Sequence, residues 1–370
     1  MSVEELNKYL DEMPERGIPE CDLAVSLNGE LVYYRTVGRE DLDRNICLVC
    51  SVSKITTCVS ALRLVEEGKL GLDDPVWKYL PAYRYLTVKQ KDGSVKPAEK
   101  VMTVRHLFLM VGGLNYSLSN PPILRACQKE GAGTVDIVNS FVESPLDFEP
   151  GDKFQYSLCH DVLAAVVEVV SGERFADYAK KNVFDPLGMS DTGYHLPEEL
   201  MPRLCRQYVY ANGVNVANEV TPYNKYILTP DYDSGGAGLY TTTIDQLKLL
   251  TALALGGTAK NGYRLLNEET VKMCEVGQLN NQQKLGFWPQ RLYGYSWGLC
   301  GRVHERPVLS DSLSPIGEFG WDGATGPYGL VDRQNGLALY FGMHMYGTTY
   351  IYNQGHGSIR NKVYQTFFGK

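Results

Sequence analysis

Ser51-Val52-Ser53-Lys54-Ile55-Thr56-Thr57-Cys58-Val59-Ser60-Ala61-Leu62-Arg63-Leu64-Val65-Glu66-Glu67-Gly68 is the stretch that decides the reading of this chain. Ile55, Val59, Leu62 and Val65 recur at helical spacing and Gly68 supplies a stop, so a helix with an apolar stripe is expected. At its head, Ser51 and Lys54 stand three residues apart, on one face and about one turn from each other. A serine alcohol is a poor nucleophile near neutral pH unless a positioned group takes its proton. Lys54 can do so if burial lowers its pKa, and Tyr156, far downstream, is a second candidate as a phenolate beside the ammonium. Both stay open as the base. A serine at a helix N-terminus also places its own N–H where an oxyanion would form. The pattern points to covalent acyl transfer.

The rest of the chain is compatible with an enzyme of that kind. Its 370 residues, 44% hydrophobic and 21% charged, are enough for a sizeable core in one large domain or two intimately packed ones. A net charge of -7 without a Lys/Arg run argues against nucleic acid and anionic membrane surfaces as partners. Met1 to Arg16 carries Glu4, Glu5, Asp11 and Glu15 and has no apolar centre, so it does not read as a signal peptide, and no later apolar run is long enough for a bilayer. A cytoplasmic protein with a small-molecule acyl substrate is the expectation. The nine cysteines, an odd number spread from Cys21 to Cys300, fit reduced thiols better than a disulfide framework. Cys47 and Cys50 form a C-x-x-C pair just before Ser51. With no second pair or adjacent histidines, buried apolar packing is the preferred reading over zinc. No HExxH, phosphate loop or dinucleotide fingerprint occurs, so no metal or nucleotide cofactor is implied.

Along the chain, a helical segment around Val3 to Glu15 precedes two strand-like runs, Asp22 to Leu27 and Leu31 to Val37, joined by Asn28-Gly29 as a hairpin. Helical spacing dominates from about Pro81 to Thr221, including Val104 to Met110, Ile137 to Val142, Val162 to Val170 and Phe175 to Val183. A helix from Ile244 to Leu255 follows. Strand-like runs then return at Tyr293 to Leu299, Tyr328 to Val331 and Leu337 to His344, before a final helix from Ile359 to Phe368. The expected organisation is a sheet domain from residues 1–80 and 225–370 with an inserted helical domain, 81–224.

Several local strings then acquire a family meaning: Ser51-Val52-Ser53-Lys54, Leu64 to Leu70, Leu72-Asp73-Asp74-Pro75-Val76, Thr103 to Leu107, Phe148-Glu149-Pro150-Gly151, Tyr156-Ser157, Asp161 to Gly172, Pro186 to Met189, Gly235 to Thr242 and Phe319 to Gly326. In this order they resemble the serine β-lactamase-like superfamily over nearly the whole chain, and Tyr156-Ser157-Leu158 with Trp321-Asp322-Gly323 looks most like family VIII carboxylesterases. Class C β-lactamases and D-amino-acid-specific peptidases are the nearest relatives by pattern. The resemblance implies an α+β, β-lactamase/transpeptidase-like fold: an antiparallel sheet flanked by helices, plus a helical domain. It implies Ser51 as nucleophile, Lys54 and Tyr156 as the acid/base pair, and the N–H groups of Ser51 and Ala324 as the oxyanion hole. Leu158, Trp321, Asp322 and Gly323 are the implied substrate-binding positions.

Two departures bear on specificity. Leu158 stands where β-lactamases use an asparagine to bind a substrate amide. Trp321 stands where a lysine of a Lys-Thr-Gly strand would attract a substrate carboxylate, and Asp322 where the esterases usually have glycine. Neutral acyl esters are therefore expected to react far better than anionic β-lactams, although strand alternation could equally turn Asp322 away from the pocket.

Other signals compete. Gly294-Tyr295-Ser296-Trp297-Gly298 is a literal G-x-S-x-G, but the nucleophile elbow it would announce needs a helix after it, and Gly301 to Pro307 has no helical stripe. His160, His344 and His356 read as structural hydrogen-bonding residues. Tyr208, Tyr210, Tyr223, Tyr226 and Tyr232 lie in a segment that could border a cleft. Taken together, these features point to a serine hydrolase acting on small acyl esters through Ser51. The alternatives are a β-lactamase or D-amino-acid peptidase and, less favoured, a non-catalytic ligand-binding homologue.

Overall fold

A computed structural model describes residues 1–210, 217–288 and 292–370. Its centre is a seven-stranded sheet in the order Glu30–Val37, Cys21–Leu27, Leu337–Gly342, Tyr328–Asp332, Phe319–Asp322, Gly301–His304 and Tyr295–Gly298. Every neighbouring pair is antiparallel. Asn28 and Gly29 take positive φ, 51° and 84°, the backbone that a two-residue hairpin needs to match strand twist. That hairpin docks its first strand on Leu337–Gly342, so the sheet draws on both ends of the chain.

Strand alternation sorts the sheet's side chains between two layers. Leu23, Val25, Leu339 and Phe341 meet Leu6 and Leu10 of the first helix, Val3–Asp11, and Ile359 and Val363 of the last, His356–Phe368. Ala24, Val331, Ala338 and Tyr340 face the opposite way and pack with Leu247 and Leu250 of helix Thr243–Ala254. Beyond that layer lie the helices Ser53–Glu66, Val104–Phe108, Thr134–Ser140 and Cys159–Ser171, which share one continuous apolar cluster with the sheet. No helix among the described residues is long and apolar enough to cross a membrane.

Two expectations need correction, and one strand went unread. Helix Ser53–Glu66 is not amphipathic in its surroundings: Thr56, Thr57 and Ser60 are as buried as Ile55 and Val59. It lies between helix Cys159–Ser171 and strand Phe319–Asp322, so both its faces are covered. Gly301–His304 is a strand of only four residues, too short to show alternation. The cysteines are not all free thiols. Cys47 is joined to Cys205 in a disulfide, with Cα atoms 5.4 Å apart across a sequence separation of 158, and Cys50 stays a buried free thiol. The pairing was hidden because Cys205 lies so far from the C-x-x-C that drew attention to Cys47.

Candidate active site

Ser51 is presented by an unusual turn. Cys50, immediately before it, has φ +45°, a left-handed conformation that a non-glycine residue adopts at a cost of about 1 kcal/mol or more. The turn is held on both sides: Val49 N–H donates to Leu239 O at 3.0 Å, and Ser53 Oγ accepts Leu239 N–H at 3.0 Å. Thr325 Oγ1 donates to Leu48 O at 2.8 Å, which ties the end of strand Phe319–Asp322 to the segment before the serine. Gly323 is required at that junction, since a Cβ there would lie 2.2 Å from Val49 O. The neighbouring Ala324 N–H has no protein acceptor among the described residues, and Ala324 and Ser51 line the same cavity.

Lys54, 1% exposed, sits one helical turn on. Its Nζ donates to Gly236 O at 2.7 Å, to Tyr116 Oη at 3.0 Å and to Ser51 Oγ at 3.2 Å. Burial lowers its pKa to about 8, opposed chiefly by the negative charge of Asp161. Tyr156 completes the cluster: the Lys54 ammonium lies 4.7 Å from its ring centroid, and Trp321 Nε1 donates to its hydroxyl at 2.8 Å. Burial pushes the Tyr156 phenol well above its ordinary range despite hydrogen bonds from Ser51 and Trp321. Of the two candidate bases, the amine is thus the one whose proton affinity is brought toward neutrality.

These groups open onto a cavity of about 1010 Å³ walled by Tyr116, Tyr156, Tyr223, Tyr226, Tyr346 and Tyr352 among others. Trp321 and Asp322 both border it. Asp322 is not turned out of the pocket: it lines the cavity, and its carboxyl makes no hydrogen bond to another residue among the described residues. Burial raises its pKa to about 6, with the Arg302 guanidinium opposing.

Leu158 departs from expectation. It is buried at the head of helix Cys159–Ser171 and borders a separate small pocket with Gly113 and Asn115, not the cavity at Ser51. Ser296 is a fully buried strand residue. His160 bonds Phe108 O at 3.2 Å and His344 bonds Cys205 O at 3.3 Å, and burial holds the pKa of each down, to about 3 and about 4. His356 bonds Gly326 O at 2.9 Å. Of the five tyrosines singled out between 208 and 232, Tyr223 and Tyr226 reach the cavity. Among the described residues no cluster of His, Cys, Asp or Glu has the arrangement to hold a metal ion.

Sequence reasoning missed Tyr116 and Gly236. Tyr116 stacks on Tyr156 with centroids 5.6 Å apart and supplies one of the Lys54 contacts, yet it lies in an irregular segment with no periodicity. Gly236 acts through a backbone carbonyl, and only its membership of the Gly235 to Thr242 string hinted at a role.

The Beta-lactamase family model matches residues 6–345. Esterase EstB of Burkholderia gladioli is 29% identical over 364 residues, covering 88% of this chain and 86% of its own. Among solved structures, EstCE1, a hydrolase with promiscuous acyltransferase activity, covers 98% of this chain and 97% of its own at 24% identity and a TM-score of 0.79. Simvastatin synthase LovD of Aspergillus terreus covers 100% and 99% at 20% identity and a TM-score of 0.82. The fold is β-lactamase/transpeptidase-like, with an antiparallel sheet and flanking helices.

Proposed function

The chain belongs to the beta-lactamase family, and from that premise we propose that it is a serine hydrolase that forms an acyl-enzyme on Ser51 from a neutral ester and passes the acyl group to water. The observation that carries this is the environment of Lys54. A neutral amine has two N–H groups and one lone pair. Gly236 O can only accept, so it takes one N–H, and Tyr116 Oη takes the second. The lone pair is left for the Ser51 hydroxyl at 3.2 Å. Lys54 removes the serine proton as Oγ attacks the ester carbonyl, and the N–H groups of Ser51 and Ala324 receive the oxyanion. Collapse breaks the bond to the alkoxide, which takes a proton from the Tyr156 hydroxyl, resupplied by the Lys54 ammonium. Water then repeats the sequence on the acyl-enzyme.

Trp321 and Asp322 support a neutral substrate. The indole offers no positive charge to a carboxylate, and the Asp322 carboxyl repels one. The β-lactamase and D-amino-acid peptidase readings are weakened by the same two residues. Transfer to an alcohol or amine is a second reading favoured by the cavity, since about 1010 Å³ is at the upper end of what a single small ligand occupies.

The test is the initial rate of p-nitrophenyl butyrate hydrolysis by the wild type and Ser51→Ala. Turnover by the first and none by the second is expected. Equal rates would remove Ser51 as nucleophile.

A further inference from the structure

Asp161 opens helix Cys159–Ser171 and is 1% exposed. Its Oδ1 accepts from Tyr232 Oη at 2.7 Å, from Ser234 Oγ at 2.7 Å and from Gly236 N–H at 3.3 Å. Its Oδ2 is equally buried and has no partner among the described residues. An acceptor-only carboxylate with one idle oxygen in the interior is costly. A neutral amide of the same shape would also hold all three donors without burying a charge, so these three hydrogen bonds alone do not account for an acid here.

The surroundings show where the charge is felt. The turn at residues 234–237 closes on Asp161, with Ser234 Oγ also accepting Ala237 N–H at 3.1 Å. Two glycines let the turn lie against the helix: a Cβ on Gly236 would sit 2.4 Å from Asp161 Oδ2, and one on Gly235 would sit 2.5 Å from the Ala164 Cβ. The N–H flanking Gly236 on one side thus points to Asp161, and its carbonyl on the other receives Lys54 Nζ at 2.7 Å.

We propose that Asp161 is a positioning residue for acyl transfer: through Gly236 it fixes the Lys54 amine, and its charge sets how tightly that amine keeps its proton. This rests on the reading of Lys54 as the base. Asp161 is the foremost of the charges that oppose the effect of burial on Lys54. The other groups facing Lys54 are Ser51, Tyr116 and Tyr156, the Cys50 and Cys58 thiols, the neutral His160, and Asp322 across the cavity. Asp161 itself is faced by Tyr232, Ser234 and the hydroxyl side of Tyr116, with Tyr83 and Tyr194 farther off. Among the described residues Asp322 is the second carboxylate felt by the amine, and it lines the cavity.

Asp161→Asn removes the charge while the amide oxygen can keep all three donors; the amide N–H groups that take the place of the idle oxygen cost stability, which the position of the pH limb does not read. The measurement is kcat/KM for p-nitrophenyl butyrate from pH 5.5 to 9.5. The wild-type rate is expected to rise through a pKa of about 8 as Lys54 loses its proton. In Asp161→Asn that limb moves down by about one pH unit or more, tenfold in proton affinity, whatever happens to the plateau. A lower plateau with the limb in place would show a merely structural role and overturn the proposal. Tyr232→Phe supplies the opposite sign and covers a failure of the first variant to fold. Stripping one donor leaves the Asp161 charge less satisfied, so the limb moves up, and an unmoved limb counts against the proposal. A wild type with no limb near 8 overturns the Lys54-base reading and this proposal with it, whereas a limb that stays put in Asp161→Asn overturns this proposal alone.

Discussion

Replacing Asp322 with asparagine is expected to stabilise the protein, and to do so only above the pH at which the carboxyl ionises. The carboxyl makes no hydrogen bond to another residue among the described residues, and burial raises its pKa from 3.8 to about 6. Below 3.8 the group is protonated in both folded and unfolded chains and contributes nothing. Between 3.8 and about 6 the folded chain holds a proton that the unfolded chain has released, so stability falls as pH rises. Above about 6 the full penalty is present, up to about 3 kcal/mol at 1.36 kcal/mol per pH unit. Asp322 keeps surface open to the cavity, and water there recovers part of its solvation, which leaves about 1–3 kcal/mol. Urea unfolding of wild type and Asp322→Asn at pH 4.5 and 7.5 is the assay. The variant should gain a higher midpoint at pH 7.5 and much less at pH 4.5. An equal gain at both, or a loss at pH 7.5, would refute the account of a carboxylate held against solvation.

The same residue carries a functional counterpart: wild type should hydrolyse p-nitrophenyl butyrate at least about 100-fold faster, by kcat/KM, than it opens the anionic β-lactam nitrocefin. Asp322→Asn should narrow that gap about tenfold, since removing one nearby like charge is worth about 1–2 kcal/mol; an unchanged ratio would release Asp322 from specificity. Tyr116→Phe should lower kcat about fivefold with little change in KM, because one hydrogen bond fixing the Lys54 lone pair is worth about 1 kcal/mol, and a rate equal to wild type would show that Gly236 suffices. Reduction of Cys47–Cys205 should lower unfolding free energy by about 2–4 kcal/mol, as for a cross-link closing a long loop; the check is a thermal midpoint that falls with dithiothreitol in the wild type and not in Cys47→Ser/Cys205→Ser.

What the sequence made legible was whatever is encoded locally. Ser51 and Lys54 are three apart on a helix, and that spacing alone brings Nζ to Oγ. Asn28-Gly29 set the hairpin, and the strand-like run Leu337 to His344 identified a strand that proves to run from Leu337 to Gly342 at the sheet's centre. Tyr156 was reached through a motif, and it lies beside the amine. The rest depends on groups that leave no local trace. Tyr116 is one tyrosine among 25, in a segment with no regular structure to orient it. The Gly236 carbonyl is backbone, present at every position. Asp161 stood inside a quoted string, but its charge acquires meaning only when a turn 75 residues later folds onto it. Leu158 was placed in the pocket because it stands where β-lactamases use an asparagine, whereas it lies buried at the head of the helix that starts at Cys159.

The parts that converge on the Lys54 amine come from residues 51–54, 116, 156 and 236, and from the strand that holds Trp321. None of these segments can assemble the centre alone, because each supplies a single contact to a shared atom or ring. The amine therefore works as a keystone: its bond to Ser51 is local, but those to Tyr116 and Gly236 exist only when the helical layer and the 234–237 turn have both seated. A chain with native helices and strands but an undocked 234–237 turn would still carry Ser51, Lys54 and Tyr156, yet its amine would lack the carbonyl at 2.7 Å that orients it.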